Sequence, residues 1–192
     1  MIDFSLFIEN QISIKQITCG LLSSDLHQLT DEMVDAMLAE IMDARQEDVV
    51  FTPQDPHALD EYAVSLEERN LSWTLGHVIV HTTASAEESA ALSSVLARGI
   101  PLNQEDRSRY EIPWQEITTV QQLYDRLEES RRIRRAFLNT WPTPPHLENT
   151  YSPDFPGDVP LNAIDRFTLG LSHDYNHLGQ IRKIMAQARQ MR

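Results

Sequence analysis

The chain has a single cysteine, Cys19, so no disulfide can close within it and no thiolate zinc site can form. A reducing compartment suits such a chain best. Basic residues are also scarce: 16 Lys and Arg stand against 29 Asp and Glu, a net charge of −13. That balance argues against a nucleic-acid partner, because phosphate binding needs a basic face. No basic region precedes an apolar run at the N-terminus, where Lys15 is the first basic residue, so no signal peptide is expected. Long hydrophobic runs are missing too. The longest uncharged stretch, Leu71 to Ala86, is interrupted by His, Ser and Thr and does not read as membrane-spanning. These absences together lead to the expectation of a cytoplasmic protein.

What is present is the composition of a soluble globular chain, 41% hydrophobic and 23% charged. Its 192 residues are enough for one domain with a good core, so a single domain over 1–192 is expected. Residues 1–20 hold apolar side chains without a clean period and read as a short helix or an extended arm. From 24 to 47, Leu26, Leu29, Met33, Val34, Met37, Ile41 and Ala44 recur at three and four with no Gly or Pro between them, predicting a long helix. A proline-broken loop, Phe51 to His57, follows, then a short helix over Ala58 to Glu68. A second long helix is expected over 71–98, capped by Asn70 or Ser72 and stopped by Gly99 and Pro101. Thr119 with Gln122 makes a capping box for a third, over 119–139, whose inward positions are Val120, Leu123, Leu127, Ile133, Phe137 and Leu138. Within it Arg131, Arg132, Arg134 and Arg135 follow Glu128 and Glu129, which reads as a solvated, ion-paired face. A proline-dense connection, 141–160, is long enough to suggest a functional role. The last helix, 162–190, opens on Asn162 with Asp165 three residues on. Four long helices with little strand pattern predict an all-α four-helix bundle with long connecting loops, an architecture that builds cofactor sites from side chains on facing helices.

Four of the seven histidines fall in two pairs four residues apart, His77 with His81 and His173 with His177. At that spacing both imidazoles share a helix face and can reach one metal ion. On helical wheels, His77, His81 and Glu88 flank one apolar arc, and His173, His177 and Gln180 flank another. Packing the arcs together brings the flanks together. The glutamate of H-E-x-x-H is absent, which excludes a zincin. Neither pair carries the Glu-x-x-His of a di-iron bundle, and no strand–turn–helix context holds a nucleophilic serine. Glu88 is the candidate general base, or a carboxylate supporting a ligand. Gln180 suits a hydrogen bond to substrate or to a ligand histidine, or interior packing. Trp73 reads as a core anchor.

The segments Trp73-Thr-Leu-Gly-His-Val-Ile-Val-His81 and His173-x-x-x-His177-x-x-Gln180-Ile181 together resemble the DinB/YfiT-like superfamily, over roughly residues 22 to 190. The resemblance implies a four-helix bundle that holds a divalent metal, often nickel or zinc, on three histidines. Carried over by position, these are His81, His173 and His177. His77 does not match the triad and stands as a supporting partner, an alternative ligand or simply a polar residue. Three neutral imidazoles leave positions open for water or substrate, the mark of a catalytic site. Some relatives transfer thiol cofactors, so the resemblance implies a metal-dependent enzyme acting on a small molecule, with a thiol-dependent S-transferase ahead of a hydrolase. The alternative is a non-catalytic metal- or ligand-binding or stress-related bundle. The expected partners are a small molecule, by resemblance a low-molecular-weight thiol, and a second copy of the chain as a homodimer; nucleic acid and membrane are not among them. An anionic thiol would be repelled by the acidic chain unless arginines such as Arg107, Arg109 or Arg166 line the entrance, and the 141–160 connection is the expected cover.

Overall fold

The structure, a computed structural model, describes residues 1–56, 58–59, 68–102, 109–152 and 159–192. It is all-α, as expected: α1 (Ser5–Ile8), α2 (Ile14–Thr18), α3 (Ser23–Glu40), α4 (Gln46–Val49), α5 (Leu75–Ala97), α6 (Val120–Leu138) and α7 (Ala163–Gln190), with a 3-10 turn at Trp114–Glu116. Among the described residues there is no strand, only an isolated bridge between Tyr151 and Leu161. None of their helices is long and apolar enough to cross a membrane. The short helix expected over Ala58 to Glu68 falls mostly outside the described residues.

The four long helices form the bundle. α3 and α5 each pack against both α6 and α7, which sets α3 diagonal to α5 and α6 diagonal to α7. The core runs through the middle, from Leu26, Met33, Val34 and Met37 of α3 to Leu75, Val78, Ile79 and Leu96 of α5, Leu123 and Leu127 of α6, and Phe167, Leu171, Leu178, Ile181 and Met185 of α7. α5 is the central element: every residue from Leu75 to Ala86 is buried. Gly170 lets α7 approach it closely, since a Cβ there would lie 2.7 Å from the Cβ of Ser89.

Two helix starts follow the expected chemistry. The Thr119 hydroxyl accepts from the backbone N–H of Gln122 at 3.2 Å while the Gln122 side chain accepts from the N–H of Thr119 at 2.9 Å. Asn162 and Asp165 do the same for α7, at 3.1 and 2.8 Å. Asp165 has a second task, accepting from the Thr18 hydroxyl at 2.6 Å and pairing with Lys15. This ties α2 to the bundle and resolves residues 1–20 as two short helices. Gly99, at φ +76°, ends α5 as expected.

Two boundaries and one inward position differ. α3 stops at Glu40 rather than running to 47. Ile41 is still fully buried, so the apolar period continues through a turn that is no longer helix. Asp48 then accepts from the Arg45 N–H at 2.7 Å and opens a new turn, while Arg189 and Arg192 at the end of α7 hold Asp43 and Asp48. The cap of α5 is neither Asn70 nor Ser72 but Thr74, whose hydroxyl accepts from the His77 N–H at 3.2 Å. On α6 the buried position is Arg134, not its half-buried neighbour Ile133. Arg131, Arg132 and Arg135 form the expected ion-paired face with Glu128, Glu129, Asp31 and Asp35. Arg134 turns the other way.

Candidate metal centre

The packing of α5 against α7 brings His81, His173 and His177 together, each offering a ring nitrogen within 4.8 Å of the others. The Nε2 of His173 lies 3.3 Å from that of His81 and 3.3 Å from that of His177. Ligand nitrogens 2.0–2.1 Å from a tetrahedral ion are separated by about 3.3–3.4 Å, so the observed spacing is that of a ready-made donor set. The chemistry of the donors agrees. Burial, followed by the nearby His81, pushes the pKa of His177 down to about 4, so its ring is neutral near pH 7 and has a lone pair to give. The Gln180 Oε1, 2.8 Å from His177 Nδ1, can only accept a hydrogen bond. It therefore keeps the proton on Nδ1 and leaves Nε2 bare toward the other two rings.

His81 has its own orienting group. Glu111 Oε1 lies 3.3 Å from His81 Nδ1, and the Arg109 guanidinium lies 2.7 Å from the same oxygen. Arg109 also donates to the Ser85 hydroxyl, one turn along α5 from His81. A carboxylate behind a ligand imidazole fixes its tautomer and raises its basicity. Sequence reasoning missed Glu111, which sits in the irregular 101–117 segment where no period singles it out. Glu88, the carboxylate it favoured, is half-buried on α5, about 10 Å of helix rise beyond His81.

His77 is not part of the converging group. Its ring is stacked between two indoles, 4.3 Å from Trp73 at 20° and 4.8 Å from Trp114 at 2°. Trp73 continues the pile to His177, 5.8 Å away at 12°, and touches His81 at 4.6 Å. Trp73 thus forms a wall of the site as well as packing on the core. The stack restricts the rotamers of Trp73 and His177, which holds the donor geometry in place.

Directly behind the histidines lies a buried polar knot. Thr82 and Asp174, the residues after His81 and His173, are joined by a hydrogen bond from the Thr82 hydroxyl to the Asp174 carboxylate at 2.7 Å. Arg134 reaches across from α6 to the other Asp174 oxygen, and its Nε donates to Ser130 at 3.2 Å. Burial holds the Asp174 carboxyl above its ordinary range, against the opposing pull of the Arg134 guanidinium and the Thr82 hydroxyl. The knot sets the register of α5 on α7 at the level where their histidines meet.

The remaining candidates lie elsewhere. His57 and Arg107 fall outside the described residues. Arg166 donates to the Ser89 hydroxyl at 2.7 Å, farther along the same seam. The described part of the 141–160 connection does not cover the histidines. The N–H of His146 binds the carbonyl of Ala97 at the far end of α5, about 24 Å of helix rise from His81. Among the described residues, Trp73 packs against His81 and His177, and Glu111, held by Arg109, faces His81.

In sequence comparison the family description "DinB superfamily" matches residues 24–181, a span that includes His81, His173 and His177. No curated protein and no solved structure matches the chain.

Proposed function

The chain belongs to the DinB superfamily, and on that premise we propose that it is a metal-dependent enzyme acting on a small molecule, with thiol transfer ahead of hydrolysis. The observation that carries this reading is the convergence of His81, His173 and His177, with the Nε2 of His173 3.3 Å from that of each of the other two. These three residues hold one divalent ion, which when bound supplies Lewis acidity and favours the deprotonated form of a thiol or of water. Borderline donors such as imidazole suit zinc and nickel.

The chain's own residues do the rest. Gln180 keeps the His177 proton at Nδ1, and Glu111, braced by Arg109, faces Nδ1 of His81. Trp73 packs against His81 and His177. Three protein ligands leave coordination positions open, which is the condition for binding a substrate rather than only building structure. The preference for a thiol comes from the superfamily rather than from a particular side chain. The test is a screen of the metal-loaded chain with low-molecular-weight thiols and electrophilic acceptors, alongside esters and amides. Thiol-dependent turnover that disappears in a His173→Ala/His177→Ala double variant is expected. Turnover unchanged in that variant contradicts the reading, and no turnover with any substrate favours a non-catalytic binding bundle.

A further inference from the structure

Two clefts meet beside the site. The smaller, about 170 Å³, is lined by Trp73 and His177, together with Asp55 and Gln180. The larger, about 380 Å³, shares Asp55 and Gln180 and continues along α7 past Gly179 and Lys183 to Gln187. The two form one groove that begins at the ring of a proposed metal ligand and leads away from it.

Several features make this groove a built one. Asn176, Gly179, Gln180, Lys183 and Gln187 recur at three and four, so they share a face of α7. Its facing wall is pinned: the Gln187 amide oxygen accepts from the Gln54 N–H at 2.8 Å, and its nitrogen donates to the Gln54 carbonyl at 3.1 Å. The floor is left open by Gly179, where an added Cβ meets nothing within 4 Å. Lys183 supplies the charge. Of the chain's two lysines, Lys15 is bound to Asp165, whereas Lys183 makes no ion pair among the described residues. In a chain of net charge −13, a cation that is unpaired among the described residues, beside a row of side-chain amides in a groove whose other charged side chain is Asp55, suits an anionic group on a ligand.

We propose that this groove is the substrate subsite and takes an elongated small molecule whose carboxylate end pairs with Lys183 while its other end lies against His177 and Trp73. The inference rests on the metal-dependent reading above for the identity of that other end, a thiol. Lys183 is six residues beyond His177, about 9 Å along the helix, a span that an extended six-carbon chain bridges.

The probe that tests it is 6-mercaptohexanoate, compared with the uncharged 6-mercaptohexanol. In the isotope-labelled, zinc-loaded full chain, the acid is expected to shift the side-chain amide signals of Asn176, Gln180 and Gln187. At low salt it should bind about fivefold more tightly than the alcohol, the upper end for an exposed ion pair, and Lys183→Gln should erase that preference. Gly179→Leu fills the floor while adding a better helix former; it should abolish the shifts at unchanged metal content. In the cobalt-loaded chain, a thiolate-to-metal absorption band reports the other end of the probe. The band without amide shifts, or a preference that survives Lys183→Gln, overturns the groove assignment. Amide shifts that depend on Lys183 without the band support the groove and overturn the thiol reading of the centre instead.

Discussion

Two polar clusters sit one residue apart in the seam between α5 and α7, and they are built on opposite principles. In the knot of Thr82, Ser130, Arg134 and Asp174, donors meet acceptors: the carboxylate has both oxygens engaged and matches the guanidinium's charge, while Arg134 Nη2 has no hydrogen-bond partner among the described residues. In the centre formed by His81, His173 and His177, like atoms meet like, with Nε2 facing Nε2 at 3.3 Å. Donor–acceptor networks specify a packing arrangement, whereas converging lone pairs are stable only with a cation or shared protons between them. The first cluster therefore sets the register, and the second uses it. Breaking them should produce different failures.

The largest expected effect is on the knot. Asp174→Ala strands a guanidinium that is only 1% exposed, and should cost about 3–5 kcal/mol in urea unfolding. Arg134→Met added to it should recover much of the loss, because the stranded charge is gone. His173→Ala, one residue away, should cost about 1 kcal/mol in the metal-free chain. Equal losses for Asp174→Ala and His173→Ala would erase the contrast between the clusters.

A smaller effect is expected behind the ligands. Glu111→Gln and Gln180→Ala leave all three imidazoles in place but release their orientation, and should weaken metal binding about 10- to 100-fold in competition with a chromophoric chelator. Affinities matching the parent chain would show that neither residue orients a ligand imidazole.

The subtlest effect is on pH dependence. The pKa of His177 falls from an ordinary 6.5 to about 4 because the ring is buried. As pH drops through 6.5, the unfolded chain takes up a proton that the folded chain refuses until about pH 4. The stability this group contributes is thus complete above pH 6.5 and is lost progressively as pH falls toward 4. The metal-free chain should show that decline in urea midpoints, and His177→Asn should flatten it. Stability that rises on acidification across this window would contradict the burial of a neutral ring.

Much of this was legible in the sequence, and the reasons are local. A capping box needs only residues three apart, so Thr119–Gln122 and Asn162–Asp165 could be placed. The histidine pairs stand four apart on helices with clear apolar arcs, so the side of each helix facing the partner could be read. The end of α3 could not, because Ile41 keeps the apolar period going after the backbone has left the helix. Arg134 was hidden among three arginines that do face solvent; its partner Asp174 is 40 residues away, beyond the reach of any periodic pattern. Glu111 and Trp114 come from a segment with no period, and only the fold lays them against His81 and His77. The described part of the 141–160 connection packs at the far end of α5, and residues 153–158, on which its expected role as a cover also rests, lie outside the described residues.

In the proposed centre, three histidines from two helices hold a single divalent ion. The most direct test is the metal content of the untagged full chain after purification and dialysis against zinc or nickel, measured beside His81→Ala, His173→Ala, His177→Ala and His146→Ala. One ion per chain in the parent and in His146→Ala, falling to less than about a tenth in each of the other three, is the predicted result. A parent chain that holds no ion, or a stoichiometry that is the same in all four variants, would contradict it.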